Sequence, residues 1–431
     1  MKLKISPYVM ILLSFLFTII IGSILLVLPF SLNEGVNLSY LDSLFISTSG
    51  VTITGLTPVI IKDTFSLAGR IILIVLMQVG GLSVTTIAFF IISILGARIG
   101  YKSRLLVQQS VSMDSMQGVI KVVKRIVSLT LIIEVIGIII FFFLFLANGV
   151  QVGDAIEFSI FHTVASYNNA GFDIFSSNSL TFLSNDVIFN ILTMLLIVLG
   201  GLGSIVIHDI IKKRSYKKLT FHSKIVLKMT LILILVGAIS FFLLEKEATI
   251  IQSLFHSVTL RTAGFYSYDY NTVRQTTVLI MMILMFIGAA PASNGGGIKV
   301  TSLYTIYKSS FGYLGNKEAV AYKRSIPERY QRKSVVILFM SFNVLIIATL
   351  IISFFEKGTS VTTVFFEVIS SLSNTGLTLS LTPKLSSPSK IIIITVMLIG
   401  RVGVLTFVNS VFIKSEQRSA ITEFVDLEYI V

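Results

Sequence analysis

Apolar residues in this chain gather in long runs separated by polar connections. Residues 8–30, 71–95, 126–146, 188–207, 225–244, 278 onward, 335–355 and 391–413 are each mostly apolar, and roughly 20 such residues carry a helix across a bilayer. The pattern predicts eight membrane-spanning helices. The first run follows Lys2 and Lys4, as a signal peptide would. It is longer than a typical signal core and lacks a clear small-residue cleavage site, so it reads as the first span.

Four of the connections hold one shared device: a short amphipathic stretch that leads into a polar strand with a single glycine. The strands end in Thr52-Ile53-Thr54-Gly55-Leu56, Asn168-Asn169-Ala170-Gly171-Phe172, Arg261-Thr262-Ala263-Gly264-Phe265 and Asn374-Thr375-Gly376-Leu377. Phe45, Phe161 and Phe366 each precede their glycine by ten residues, and Phe255 precedes its own by nine. A second glycine recurs in the apolar run that follows: Gly80, Gly200, Gly288 and Gly400 lie 25, 29, 24 and 24 residues beyond the first. A lone glycine beside Thr or Asn is usually a turn; two landmarks in register four times predict an internal repeat. Each unit reads as helix, re-entrant half-helix, extended loop, helix. The boundaries fall at 1–97, 98–210, 211–307 and 308–413, with a tail over 414–431.

Extended backbone at membrane depth leaves N–H and C=O groups unpaired, which is tolerated only inside protein or along a watery path. Four such loops meeting on one axis satisfy that condition, and their carbonyls can replace the hydration shell of a cation. Glycine suits a carbonyl-inward strand because some positions require φ > 0. The half-helices aim their partly negative C-termini at the same axis. The predicted fold is thus an all-α integral membrane protein with eight transmembrane helices and four re-entrant pore helices around one pseudo-fourfold central pore.

Composition agrees: 54% of residues are hydrophobic and 13% charged, too little polar surface for a water-soluble fold of this length. Cysteine is absent, so no disulfide or thiolate metal site is available. The net charge of +13 could suggest nucleic acid, but most of the basic residues gather in three connections. These hold Arg98, Lys102, Arg104, Lys121, Lys124 and Arg125; Lys212 to Lys218, Lys224 and Lys228; and Lys308, Lys317, Lys323, Arg324, Arg329, Arg332 and Lys333. Basic connections stay in the cytoplasm, so both termini are expected inside and the four glycine loops outside. The basic segments could also rest on anionic lipid or dock a soluble partner.

These residues resemble the membrane subunit of the Ktr, Trk and HKT superfamily of potassium transporters, closest to bacterial KtrB-type subunits, over essentially the whole chain. The resemblance implies a potassium selectivity filter made of Thr52, Ile53, Thr54 and Gly55; Asn168, Asn169, Ala170 and Gly171; Arg261, Thr262, Ala263 and Gly264; and Asn374, Thr375 and Gly376. Some plant members carry serine at the first position and favour sodium, so Gly55 places the chain with the potassium-selective group. The run Gly288, Ala289, Ala290, Pro291, Ala292, Ser293, Asn294, Gly295, Gly296, Gly297, Ile298 and Lys299 is too rich in glycine, with a proline, to stay helical. In the family it is an intramembrane gating loop; a mere helix kink is the alternative. Arg401 falls near the middle of the last run, where an arginine costs on the order of 3 kcal/mol. The family has an arginine here facing the pore; the alternative is a structural pair with a carboxylate such as Glu134.

His162 and His256 occupy equivalent half-helix positions, but with four histidines and no cysteine they read as packing groups rather than metal ligands. Glu134 lies inside an apolar run, as a structural pair or as part of a proton relay. No phosphate-binding glycine loop is present, so nucleotide control would come from another polypeptide. By resemblance that partner is a cytosolic ring of nucleotide-binding regulatory subunits, the chain is a homodimer in a bacterial cell membrane, and residues 414–431 and the basic loops are docking or dimer surfaces. No cofactor is expected on the chain itself, K+ is the transported ion, and Na+ is either coupled or stimulatory. A secondary transporter with a midplane solute site and alternating access would need two inverted halves. A membrane-embedded enzyme would need clustered nucleophile, acid or metal ligands. Within the pore reading, the first two units look like plain filter units, and gating is concentrated in the last two.

Overall fold

Several of the apolar helices start at a capping side chain, among them Ser6, Ser66, Asp186 and Thr220. The computed structural model describes residues 6–94, 119–175, 180–268, 270 and 272–412. Its helices come in four sets. The first set is α1 (Pro7–Val27), α2 (Tyr40–Val51), α3 (Leu67–Leu82) and α4 (Val84–Ile94). The second is α5 (Val119–Ala147), α6 (Val152–Tyr167), α7 (Val187–Leu202) and α8 (Ser204–Lys213). The third is α9 (Phe221–Leu244), α10 (Ile250–Thr259), α11 (Gln275–Phe286) and α12 (Val300–Leu314). The fourth is α13 (Glu328–Phe355), α14 (Val361–Ser373), α15 (Ser387–Val402) and α16 (Val404–Phe412). Ser39, Ser360 and Thr249 cap the short helices α2, α14 and α10, the last in a reciprocal capping box with Gln252.

Packing follows the same order in each set. The long helices α1, α5, α9 and α13 lie against the short helices that follow them, α2, α6, α10 and α14. Every short helix is also held by a neighbouring set: α6 by α3, α10 by α7, α14 by α11, and α2 by α15. That last contact joins the end of the chain to its beginning and closes the arrangement into a ring. Two ion pairs reinforce these joints, Lys390–Asp42 at 2.5 Å between α15 and α2, and Arg70–Glu157 at 2.6 Å between α3 and α6.

Burial separates an outer and an inner layer. Phe45, Phe161, Phe255 and Phe366, the four phenylalanines that keep register with the glycine loops, are fully buried. The long helices are buried over only 28–33% of their apolar windows, leaving side chains such as Phe17, Leu243 and Phe354 largely exposed. So much outward apolar surface suits lipid and not water. The chain is an integral membrane protein. Among the described residues four helices are long and apolar enough to span, or up to seven if each bent pair counts as one. The eighth expected span, from residue 278, is the 12-residue α11 followed by non-helical chain.

Breaks occur where the sequence suggested continuous spans. Helices α3, α7 and α15 stop at Ser83, Gly203 and Gly403, whose φ values of 68°, 81° and 91° pair with ψ values of 131°, 146° and 135°, a backbone that cannot continue a right-handed helix. Beyond them the chain turns through 93°, 98° and 106°. A break was expected only in the third unit, yet the other three bend at a corresponding place, three residues past Gly80, Gly200 and Gly400.

Those three glycines also let each inner helix approach the end of its own short helix. A methyl group at Gly80, Gly200 or Gly400 would collide with the carbonyl of Val51, Tyr167 or Leu372 respectively. Gly288 departs from the pattern, since its neighbours are Gly296 and Gly297. Replacing Gly400 by valine should therefore cost roughly 1–3 kcal/mol of stability through overpacking, measured as a lower thermal midpoint in detergent. The same change at Gly153, which has open space around it, should leave the midpoint nearly unaltered.

Candidate pore and gate

Short helices α2, α6, α10 and α14 span 10–16 residues, too few to cross a bilayer at about 1.5 Å per residue. Each gives way to a buried loop with a common backbone. Ile53 and Gly55 have φ of 52° and 92°, Asn169 and Gly171 56° and 69°, Thr262 and Gly264 69° and 84°, and Asn374 and Gly376 51° and 88°. Each loop thus places a left-handed non-glycine residue two before a left-handed glycine. Such residues cost on the order of 1–3 kcal/mol each and persist only where their surroundings impose them. Four independent turns have no reason to share that pattern.

The four glycines meet. A methyl group built on Gly55 would lie 2.5 Å from the Ala170 carbonyl oxygen and 2.9 Å from Gly171 Cα. On Gly171 it would lie 2.7 Å from the Ala263 oxygen and 3.0 Å from Gly264 Cα. On Gly264 it would collide with the Thr375 oxygen, and on Gly376 with the Thr54 oxygen, 3.1 Å from Gly55 Cα. The circuit 55, 171, 264, 376 and back to 55 is closed. Four backbone carbonyls, those of Thr54, Ala170, Ala263 and Thr375, are interleaved with four glycines, leaving no room for a side chain.

Hydroxyl and amide groups fix the loops from behind. The Ser49 hydroxyl accepts from the Gly55 N–H at 3.0 Å, and the Thr52 and Thr54 hydroxyls pair at 2.7 Å, as do those of Ser373 and Thr375. Asn374 donates to the Thr54 hydroxyl at 2.8 Å and to the Met397 carbonyl at 2.9 Å, tying the last loop to the first.

Residues 288–299 hold no helix, so the segment is more than a kink. It is stitched to itself by Gly288 N–H donating to Ile298 O at 2.9 Å, and to the end of α7 by Ala290 N–H to Gly201 O at 3.1 Å and Asn294 N–H to Gly200 O at 3.2 Å. Its glycines permit main-chain contact with the loops. A methyl group on Gly295 would strike the Thr262 hydroxyl, and one on Gly296 would lie 2.7 Å from the Ser373 carbonyl. The segment therefore lies directly against the third and fourth loops.

Arg401 sits in the last turn of α15, not at mid-helix as its run suggested. Its guanidinium donates to the Asn294 carbonyl at 2.5 Å, to the Gly80 carbonyl, and to the Gly81 carbonyl at 3.2 Å. It does not pair with Glu134, which accepts from Gln78 and Asn168 instead. Lys299 donates to Gly295 O at 2.6 Å, and Arg261, behind the third loop, donates to Gly288 O at 3.1 Å. A cavity of about 930 Å³ adjoins these groups, reaching Tyr167, Ser373, Asn294, Lys299 and Arg401. Lys299, Arg324, Lys333 and Arg401 line it, with no Asp or Glu among the described lining residues.

His162 bonds Thr193 and His256 bonds Tyr270, each at 2.9 Å. No cluster suited to holding a metal occurs among the described residues. Arg98, Lys102, Arg104 and the tail 414–431, named above as docking surface, lie outside the described residues. Sequence reasoning missed Gln78, Asn168 as a bonding partner of Glu134, and the carbonyls that receive Arg401.

A ring of backbone carbonyls at the ends of four half-helices, inside a lipid-facing shell, is the architecture of a cation-transporting membrane protein. The chain belongs to the TrkH family, described as cation transport proteins, whose model matches residues 7–422. Among its relatives, Ktr system potassium uptake protein B of Bacillus subtilis is 35% identical over 96% of this chain and 94% of that protein. Potassium/sodium uptake protein NtpJ of Enterococcus hirae is 33% identical over 97% and 95%. In fold, the crystal structure of the potassium transporter TrkH from Vibrio parahaemolyticus matches with a TM-score of 0.74 at 19% identity, covering 94% of this chain and 85% of that one.

Replacing Arg401 with methionine removes a cation's bonds to three carbonyls, each worth about 1.5–3 kcal/mol. Amide exchange at Ala290 and Asn294, measured by mass spectrometry, should accelerate by roughly tenfold or more.

Proposed function

We propose that this chain is the ion-conducting subunit of a Ktr-type potassium uptake system and works as a pore. The observation that carries the reading is the closed circuit of Gly55, Gly171, Gly264 and Gly376 with the four carbonyls between them. In this reading the four helix sets are four repeats, 1–97, 98–210, 211–307 and 308–413, each a helix, pore loop and helix. Together they give eight spans around one axis, with both termini in the cytoplasm. Potassium sheds water at the ring, where carbonyls take the place of its hydration shell. It then passes residues 288–299 beside Arg401 and enters the cavity on the cytoplasmic side. The membrane potential assists, at about 2.3 kcal/mol per charge per 100 mV.

Within this account, residues 288–299 are the gate and Arg401 is its latch. The segment reaches the second set through Gly200 and Gly201, and the first through Arg401 and the Gly80 carbonyl. Gating is therefore a property of the whole ring, broader than the last two units to which the sequence assigned it. The Ktr relatives carry the name of a system, which supports a second component. We take that component to be a cytosolic ring of nucleotide-binding subunits, and the chain to act as a homodimer in the cell membrane. The Enterococcus relative's name includes sodium, so sodium enters the proposal as a coupled or stimulatory ion.

Reconstituted into liposomes, the protein should take up rubidium or potassium in response to an inside-negative potential. Uptake of an organic solute with no rubidium flux would overturn the pore reading. Gly55→Ser should lower the preference for potassium over sodium by roughly tenfold, about 1.4 kcal/mol, read as the ratio of the two fluxes. An unchanged ratio would remove the first loop from the filter.

A further inference from the structure

Glu134 is the acid at the head of a hydrogen-bonded chain that crosses all four helix sets behind the glycine ring. One of its carboxylate oxygens accepts from Gln78 Nε2 and the other from Asn168 Nδ2, both at 3.1 Å. Asn168 Nδ2 also reaches the Gln78 amide oxygen and the Val164 carbonyl, each at 3.0 Å. With its nitrogen committed to these acceptors, Asn168 turns its oxygen the other way, where Asn294 Nδ2 lies 3.5 Å off and also donates to the Tyr167 carbonyl at 3.0 Å. The Asn294 carbonyl in turn accepts from Arg401 Nη1 at 2.5 Å. Glu134 belongs to α5, Gln78 to α3, Asn168 starts the second loop, Asn294 lies in the segment after α11, and Arg401 ends α15.

A buried network of this kind is held in one arrangement only when every member is satisfied. Glu134 is 4% exposed, and both its oxygens face amide donors. A glutamine there would turn an NH2 group toward a donor, and an amide would have to flip. Asn168 is the member with two orientations: its amide can face Glu134 with nitrogen, freeing its oxygen for Asn294, or the reverse.

We propose that Glu134 is a positioning residue for ion selection: it orients the Asn168 amide and so links the second filter loop to residues 288–299. The inference rests on the filter and gate reading above. Glu134 touches no transported ion; it acts through Asn168 and Asn294. Its carboxylate need not sit on α5, because Gln78 occupies the other side of the same Asn168 nitrogen.

The test is the ratio of rubidium to sodium flux in proteoliposomes, a quantity that does not depend on how much protein is active. Glu134→Gln is expected to lower the ratio by roughly threefold to tenfold. Asn294→Ala should lower it by a similar factor, and the two changes together should do no more than either alone. Combining Glu134→Gln with Gln78→Glu returns one carboxylate to the cluster and should restore at least half of the lost discrimination. If Glu134 only stabilised the fold, its variant would lower the thermal midpoint and the active fraction while leaving the ratio intact, and that result overturns the proposal. A swap that fails to restore the ratio overturns it as well. Gly55→Ser, run in parallel, separates the two levels. If it changes the ratio and Glu134→Gln does not, the filter stands and the positioning role falls; if neither changes it, the filter reading falls and takes this one with it.

Discussion

Backbone N–H and C=O groups cannot be left bare in hydrocarbon, and the whole structure depends on how this chain meets that constraint where it is not helical. Four stretches of extended chain lie within the protein, and each leaves groups that an isolated unit could not satisfy. The solution is collective. The carbonyl before each glycine lies against the glycine of the preceding loop, and the loop that closes the circuit is 320 residues away from the one it meets. No unit could be stable in this conformation without the other three. The left-handed Ile53, Asn169, Thr262 and Asn374 are the local cost of that closure.

Outer and inner layers serve that ring differently. The long helices face lipid and are replaceable in detail, since hydrocarbon asks only that they be apolar and long. The inner helices carry the glycines that let main chain touch main chain, and they break just past them. Those breaks free carbonyl groups at Gly80 and Gly81, Gly200 and Gly201, and the chain uses them: Arg401 takes the first pair, and the amides of residues 290 and 294 take the second. The Arg401 guanidinium is thereby satisfied without a carboxylate, and it also lines the cavity. On the proposed path a cation that leaves the ring meets a positively lined space, which assigns the favourable interaction to the ring and not to the cavity.

The sequence carried the ring's members but not its order. Glycine and phenylalanine register marked all four loops, because both features answer a local demand that every copy shares. The bends after α3, α7 and α15 escaped notice because apolar runs look continuous through a single residue of positive φ. Ser83 in particular has no glycine to announce it. Contacts such as Asn374 with Thr54, or Asn168 with Glu134 and Asn294, join side chains with no periodic relation along the chain. They could be found only once the loops were brought together. Arg401 stands out in the sequence by its cost in a membrane, yet its partners, being carbonyls, leave no mark there.

The central claim is that cations bind within the ring of carbonyls from Thr54, Ala170, Ala263 and Thr375. Crystals of the protein grown in rubidium or thallium salts would test it most directly through anomalous scattering. A peak on the axis between those four carbonyls, weakened when sodium competes with the heavier ion and more so in Gly55→Ser crystals, is the expected result. Anomalous density elsewhere along the chain, with none at the ring in a protein that still transports rubidium, would contradict the account.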